Sequence, residues 1–167
     1  FRQVIPHFFF FFDWEKAAGI MRRLSLMDQK EPRNFLEMGD LYIKLERYQE
    51  ADQQFRAVLR IDLNHRQALL KIAEVSLLRK LFRDASMVYN RLITLSSDDA
   101  EAHEGLGMVY KGQGMQADAA KHLLMAGLAY ADKEIKERAH QCFAAVLEID
   151  PANNIASRQM KILAPGV

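Results

Sequence analysis

The sequence predicts an all-α fold, an array of antiparallel helix pairs strung along the chain, and three observations predict it. Small and aromatic residues recur at a fixed interval: Gly39, Ala73 and Gly107 are thirty-four residues apart, as are Tyr42, Ser76 and Tyr110. Ala51, Ala85 and Ala119 keep that interval, and so do Phe55, Tyr89 and Leu123. Within a period, apolar residues fall at i, i+3, i+4 and i+7, one face of a helix. Finally, only eight glycines and four prolines interrupt 167 residues of which half are hydrophobic. Such a chain buries a sizeable core, as one domain or as a short repeat array.

The first eleven residues are the least readable. Pro6 would break a helix there, and the run Phe8–Phe12 is far shorter than the roughly twenty residues needed to cross a bilayer. Three readings of that run stay open: the tail of a membrane anchor or signal region, a segment folded back on the domain, or a wrongly assigned stretch. A start at Phe1 rather than methionine leads us to expect a preceding segment. Over residues 12–28, Trp14, Ala17, Met21 and Leu24 fit the second helix of a repeat entered half way.

Three full units follow, at 32–65, 66–99 and 100–133. In the first, Phe35, Met38, Gly39 and Tyr42 mark one helix and Tyr48, Ala51, Phe55 and Val58 the next, with "LERY" as the turn between them. "DLNH" and "SSDD" separate successive units and supply helix-capping residues. The small residue at 39, 73 and 107, met by alanine at 51, 85 and 119, lets paired helices approach closely.

These residues resemble the tetratricopeptide repeat (TPR) family, whose pattern is W-x-x-L-G-x-x-Y, then A-x-x-x-F, then P. Unit one carries Phe35, Met38, Gly39, Tyr42, Ala51 and Phe55, with Leu63 where proline is usual. Unit two has Leu69, Ile72, Ala73, Ser76, Ala85 and Tyr89; unit three has His103, Leu106, Gly107, Tyr110, Ala119 and Leu123. The resemblance covers residues 12–163 and implies a right-handed α-solenoid of about four repeats.

Downstream the frame slips. Gly127, Tyr130, Ala139, Phe143, Val146 and Pro151 match the pattern again, but twenty residues after their counterparts instead of thirty-four. A shifted fourth unit, 120–153, therefore overlaps the third, and the helix near 116–130 serves both. Its two apolar stripes, Ala119/Leu123/Ala126 and Leu124/Leu128/Ala131, suit burial on two sides within the chain, with a self-association face as the alternative. Residues 154–163 read as a cap helix with Arg158, Gln159 and Lys161 outward, and 164–167 as a tail.

Nothing in the sequence points to catalysis. HExxH, CxxC, GxSxG and GxxxxGK[ST] are absent, and no two of His7, His65, His103, His122 and His140 stand at i, i+4 in one helix. The lone Cys142 forms no internal disulfide or cysteine-rich metal site, so neither metal nor cofactor is expected. Twenty-three basic and twenty-two acidic residues give a net charge of +1, which argues against an electrostatic grip on nucleic acid.

A binding role is read by position. In the family, first-helix residues outside the packing motif line a concave groove that takes peptides. Here the resemblance assigns Arg33, Leu36, Asp40, Ile43 and Lys44 from unit one, and Gln67, Leu70, Glu74 and Leu77 with Leu78 from unit two. Unit three contributes Glu101, Glu104, Met108 and Lys111. Leu36, Ile43, Leu70 and Leu77 make an apolar strip, and the carboxylates at 40, 74, 101 and 104 favour basic flanks on a partner peptide or helix. Against this stands a groove filled by the chain's own N-terminal stretch or by neighbouring helices. Chaperone-binding relatives hold a carboxylate with asparagines where Asp40 and Glu74 stand here, so that clamp is missing. The expectation is a non-catalytic interaction scaffold or adaptor aiding assembly of a multiprotein complex. The alternative is a regulatory segment of a larger enzyme. The compartment stays open between cytoplasm and periplasm, with membrane association only through an anchor upstream of Phe1.

Overall fold

The computed structural model describes residues 15–23, 26 and 31–163. The readings placed on Pro6, Phe8–Phe12, Trp14, Leu24 and the tail 164–167 lie outside them. Every regular element among the described residues is a helix: α1 over residues 15–23, then α2 (Pro32–Lys44), α3 (Tyr48–Ile61), α4 (Arg66–Leu78), α5 (Phe82–Leu95), α6 (Ala100–Gly112), α7 (Gln116–Asp132), α8 (Lys136–Ile149) and α9 (Asn154–Leu163). The chain divides into two compact units, 1–75 and 76–167, with the border inside α4. In the first, α2 pairs with α3; in the second, α5 to α9 each pack on the next.

Each turn between paired helices is built the same way. One residue sits in the left-handed region: Glu46 (φ 57°), Lys80 (58°), Gly114 (77°) and Glu134 (57°). The next residue's N–H then reaches back five residues, Arg47 to the Tyr42 carbonyl at 2.9 Å, Leu81 to Ser76 at 2.8 Å, Met115 to Tyr110 at 2.9 Å and Ile135 to Tyr130 at 2.9 Å. That bond satisfies a carbonyl the helix end would otherwise leave open. The intervals are thirty-four, thirty-four and twenty residues, so the frame slip is present in the backbone as well as in the side chains. Helix starts repeat likewise: the His65 ring, the Asp99 carboxylate and the Asn153 amide each accept the N–H three residues on, at 3.3, 3.1 and 3.0 Å.

The physical meaning of the slip lies in α7. A Cβ on Gly107 of α6 would stand 2.7 Å from Leu123 of α7, and a Cβ on Gly127 of α7 would stand 2.6 Å from the Phe143 ring of α8. The same helix is thus the second partner of α6 and the first partner of α8. Phe143, Val146 and Ala126 are fully enclosed, and Leu124, Leu128 and Ala131 pack partly buried against that core. The second stripe of α7 is covered within the chain, which leaves Met125 as its exposed large hydrophobic residue.

The last helix turns its charged residues outward, as expected. Arg158 and Lys161 are exposed and Gln159 is half-buried, but Ile155 and Ile162 are exposed too. Ala156, Met160 and Leu163, at i, i+4 and i+7, are the stripe that packs toward α8. The two isoleucines fall off that stripe, so the outward face of α9 is not purely polar.

Candidate partner-binding surface

In the first unit, α2 has α3 on one side and α4 on another, as the Lys71 ammonium shows: it lies 3.1 Å from Asp40 of α2 and 3.2 Å from Glu74 of its own helix. A helix flanked twice buries more than one stripe, and the buried arc of α2 runs Leu36, Met38, Gly39 and Tyr42. Leu36, expected on the open groove, is only 8% exposed and belongs to the core. Phe35, expected in the core as the motif aromatic, is half-buried. Ile43 and Leu70 are half-buried, Arg33, Lys44, Gln67 and Glu74 exposed. Arg33 forms an exposed pair with Glu37 at 2.7 Å, an arrangement worth little in water.

Lys71 is the residue the pattern overlooked. Burial acts to lower its pKa, but the hydrogen bond it donates to Asp40 and the charges of Glu74 and Asp40 outweigh it and hold the ammonium above the ordinary lysine value. Asp40 and Glu74, two of the four carboxylates expected to attract basic ligand flanks, therefore share one internal cation.

The second unit repeats the theme with other residues. Tyr130 of α7 donates its hydroxyl to Glu104 of α6 at 2.7 Å, and Arg138 of α8 donates to both the Glu104 carboxylate and the Tyr130 oxygen, the latter at 2.8 Å. The Arg138 guanidinium also lies 4.9 Å from the centre of the Tyr130 ring. The Glu104 bond, opposed by burial, raises the Arg138 pKa, while burial and then the same carboxylate raise that of Tyr130. Glu104, expected to face a ligand, ties three helices together across the frame slip. Leu77 and Glu101 are half-buried, whereas Met108 is 49% exposed and Lys111 is exposed, 3.8 Å from Glu148. Arg138 follows Glu104 by thirty-four residues, but spacing alone does not distinguish this pair from the packing positions that share the interval.

His103, at the motif's aromatic position, is buried and polar. Its Nε2 lies 3.1 Å from the Ser97 carbonyl and its Nδ1 3.0 Å from Nδ1 of His122. With Nε2 donating to the carbonyl, a neutral His103 accepts from His122 at Nδ1. His122 stacks on Tyr110, ring centres 5.4 Å apart. Cys142 is buried and its thiol is pushed up to about 12, first by burial and then by Glu104, the opposite of an activated nucleophile. Among the described residues no group of three or more His, Cys, Asp and Glu side chains could hold a metal ion. Among them also, no helix is long and apolar enough to cross a membrane.

The repeated turn, the repeated cap and the glycine-to-aromatic contact agree with an outside comparison. Residues 11–129 match the profile of the Cilia and flagella-associated protein 70 middle TPR-like domain. The chain belongs to this TPR-like family. No curated protein sequence matches it. Solved structures share the fold: MamA (residues 41 to the end) from Desulfovibrio magneticus RS-1 is 22% identical with TM-score 0.62, over 84% of this chain and 88% of that one. YrrB, described as a TPR protein with an unusual peptide-binding site, is 23% identical with TM-score 0.55, over 89% and 84%. A TPR protein from Parabacteroides merdae ATCC 43184 is 22% identical with TM-score 0.57, over 92% and 65%.

Proposed function

We propose that the chain is a non-catalytic interaction scaffold that holds a peptide or helix of a partner protein and so aids assembly of a multiprotein complex. The observation that carries this reading is the state of the first-helix residues that the packing motif leaves over. Ile43, Leu70 and Leu77 keep part of their apolar surface in solvent, and Met108 keeps half, at positions that the family resemblance assigns to a peptide groove. The TPR-like family and the likeness to a peptide-binding protein such as YrrB support it. Because Lys71 and Arg138 already answer the carboxylates, the contact is expected to rest on apolar anchors, with only a modest preference for basic flanks.

The test uses Leu70→Glu and Met108→Glu, which place charge on accessible apolar positions; Leu36 is unsuitable because a glutamate there would enter the core. Partners captured by the wild-type chain from its native extract should be lost or strongly reduced with the double variant. Capture of the same partners in equal yield by a variant with wild-type helicity would sink the proposal.

A further inference from the structure

His103 stands where the repeat motif carries an aromatic residue, and it is only 2% exposed. It is held at both ring nitrogens. Nε2 lies 3.1 Å from the Ser97 carbonyl in the loop before α6, and Nδ1 lies 3.0 Å from Nδ1 of His122 on α7. A carbonyl only accepts, so Nε2 carries the proton and Nδ1 of a neutral His103 is bare. The proton between the two rings therefore belongs to His122, whose own Nε2 is bare when that ring is neutral. The rings also stack. His103 and His122 have centres 5.3 Å apart at 26°, and Tyr110 of α6 lies against His122 at 5.4 Å and 24°. The pair thus joins the α5–α6 loop, α6 and α7 through a single proton between two Nδ1 atoms.

Acid adds protons to such a pair in two steps. The first goes to the bare Nε2 of His122 and leaves the bond between the rings intact. The second has only Nδ1 of His103 to go to. Two N–H groups then meet across 3.0 Å between two cations, and attraction gives way to repulsion. The surrounding charges come from each neighbouring element. Burial, His103 and Lys121 oppose a charge on His122, and Asp118 favours it. Around His103 stand Asp98 of the loop and Asp132 and Lys133 at the end of α7, which line with it a cleft of about 240 Å³. From α5, Tyr89 meets α6 at Gly105, about 200° round the helix from His103.

We propose that the His103–His122 pair is an acid-sensitive latch, closed by the proton between its rings and opened by two added protons that part α6 from α7. His122 is held below its unfolded pKa of about 6.5. The latch is therefore closed above that pH and gives way as pH falls through the folded value. Because α6 carries Met108 and Lys111, opening also disturbs the groove. That consequence rests on the proposed function, whereas the latch itself does not.

The whole 167-residue chain, with isotopically labelled histidine, tests the latch without any partner. At about pH 7.5, ring spectra by nuclear magnetic resonance should show His103 protonated at Nε2 alone and His122 at Nδ1 alone. Amide hydrogen exchange, corrected for the intrinsic effect of pH, should lose about tenfold protection or more in α6 and α7 between about pH 7 and pH 5. His103→Phe restores the motif aromatic and cannot take the second proton, so its protection should hold over that range. Should that variant lose helicity, His122→Gln still donates to Nδ1 of His103 and should lose less protection than wild type. Opposite tautomers, no acid loss in the wild type, or an equal loss in a folded variant would each overturn the proposal. Loss of partner capture by the groove variants has no bearing on these readouts, so the two readings fail separately.

Discussion

Gly127→Ala is the sharpest probe of the helix that two repeats share. In an ordinary helix the change is favourable by about 0.8–1 kcal/mol, because alanine loses less backbone entropy. At this position the new methyl would stand 2.6, 2.9 and 3.0 Å from three atoms of the Phe143 ring. That ring is fully buried, so it has no solvent to swing into and either α7 or α8 must move. Overpacking of this kind costs about 1–3 kcal/mol, which leaves a net destabilisation of about 1 kcal/mol. Gly19 is the control, since it lies in α1 and a Cβ there meets nothing within 4 Å. Gly19→Ala should stabilise by roughly 0.5–1 kcal/mol. Urea unfolding followed by far-ultraviolet circular dichroism should therefore separate the two variants by about 2 kcal/mol, on opposite sides of the wild type. Phe143→Leu, combined with Gly127→Ala, should show a coupling energy in a double-mutant cycle. If Gly127→Ala stabilises as much as Gly19→Ala, α7 and α8 are not in close contact and the shared-helix account fails.

Other outcomes follow from single interactions. Burial first, then His103 and Lys121, hold His122 below the ordinary imidazole pKa, with Asp118 pulling the other way. A depressed folded value means that this stabilisation is present above the unfolded pKa, about 6.5, and is lost as pH falls through the folded one. Wild type should thus lose more stability between about pH 7 and pH 5 than His122→Gln does, by urea midpoints read across that range. Glu104→Gln leaves Arg138 and Tyr130 without their shared carboxylate, and about 1–2 kcal/mol should be lost after allowance for the exposure of Arg138; Cys142 labelling in mild urea would report earlier opening of α8. Lys80→Gly relieves a left-handed residue (φ 58°) whose strain of about 1–2 kcal/mol exceeds the added chain entropy of about 0.5–1 kcal/mol. A rise in thermal midpoint should result, and a fall would contradict the turn geometry.

The repeat, its caps, its turns and the frame slip were legible in the residues because each depends on neighbours within one helix turn or one period. Gly39, Gly107 and Gly127 announce close approach wherever the helices point, and Asp99 caps α6 through an atom three residues away. The groove was legible only in outline. Position on a helix says which residues lie off the motif face, but not how many other helices flank that face. Leu36 is buried because α2 is flanked by both α3 and α4, and Phe35 is half-open because a cleft remains between α1, α2 and α3. Lys71 and Arg138 lie on helices other than those carrying Asp40 and Glu104; the first pair falls off the repeat period, and the second keeps it but shares that interval with the packing positions. Local pattern was enough to name the architecture, since helices and turns are made by short-range contacts. The charge and accessibility of the candidate surface needed the packed structure, because both are set largely by side chains on other helices.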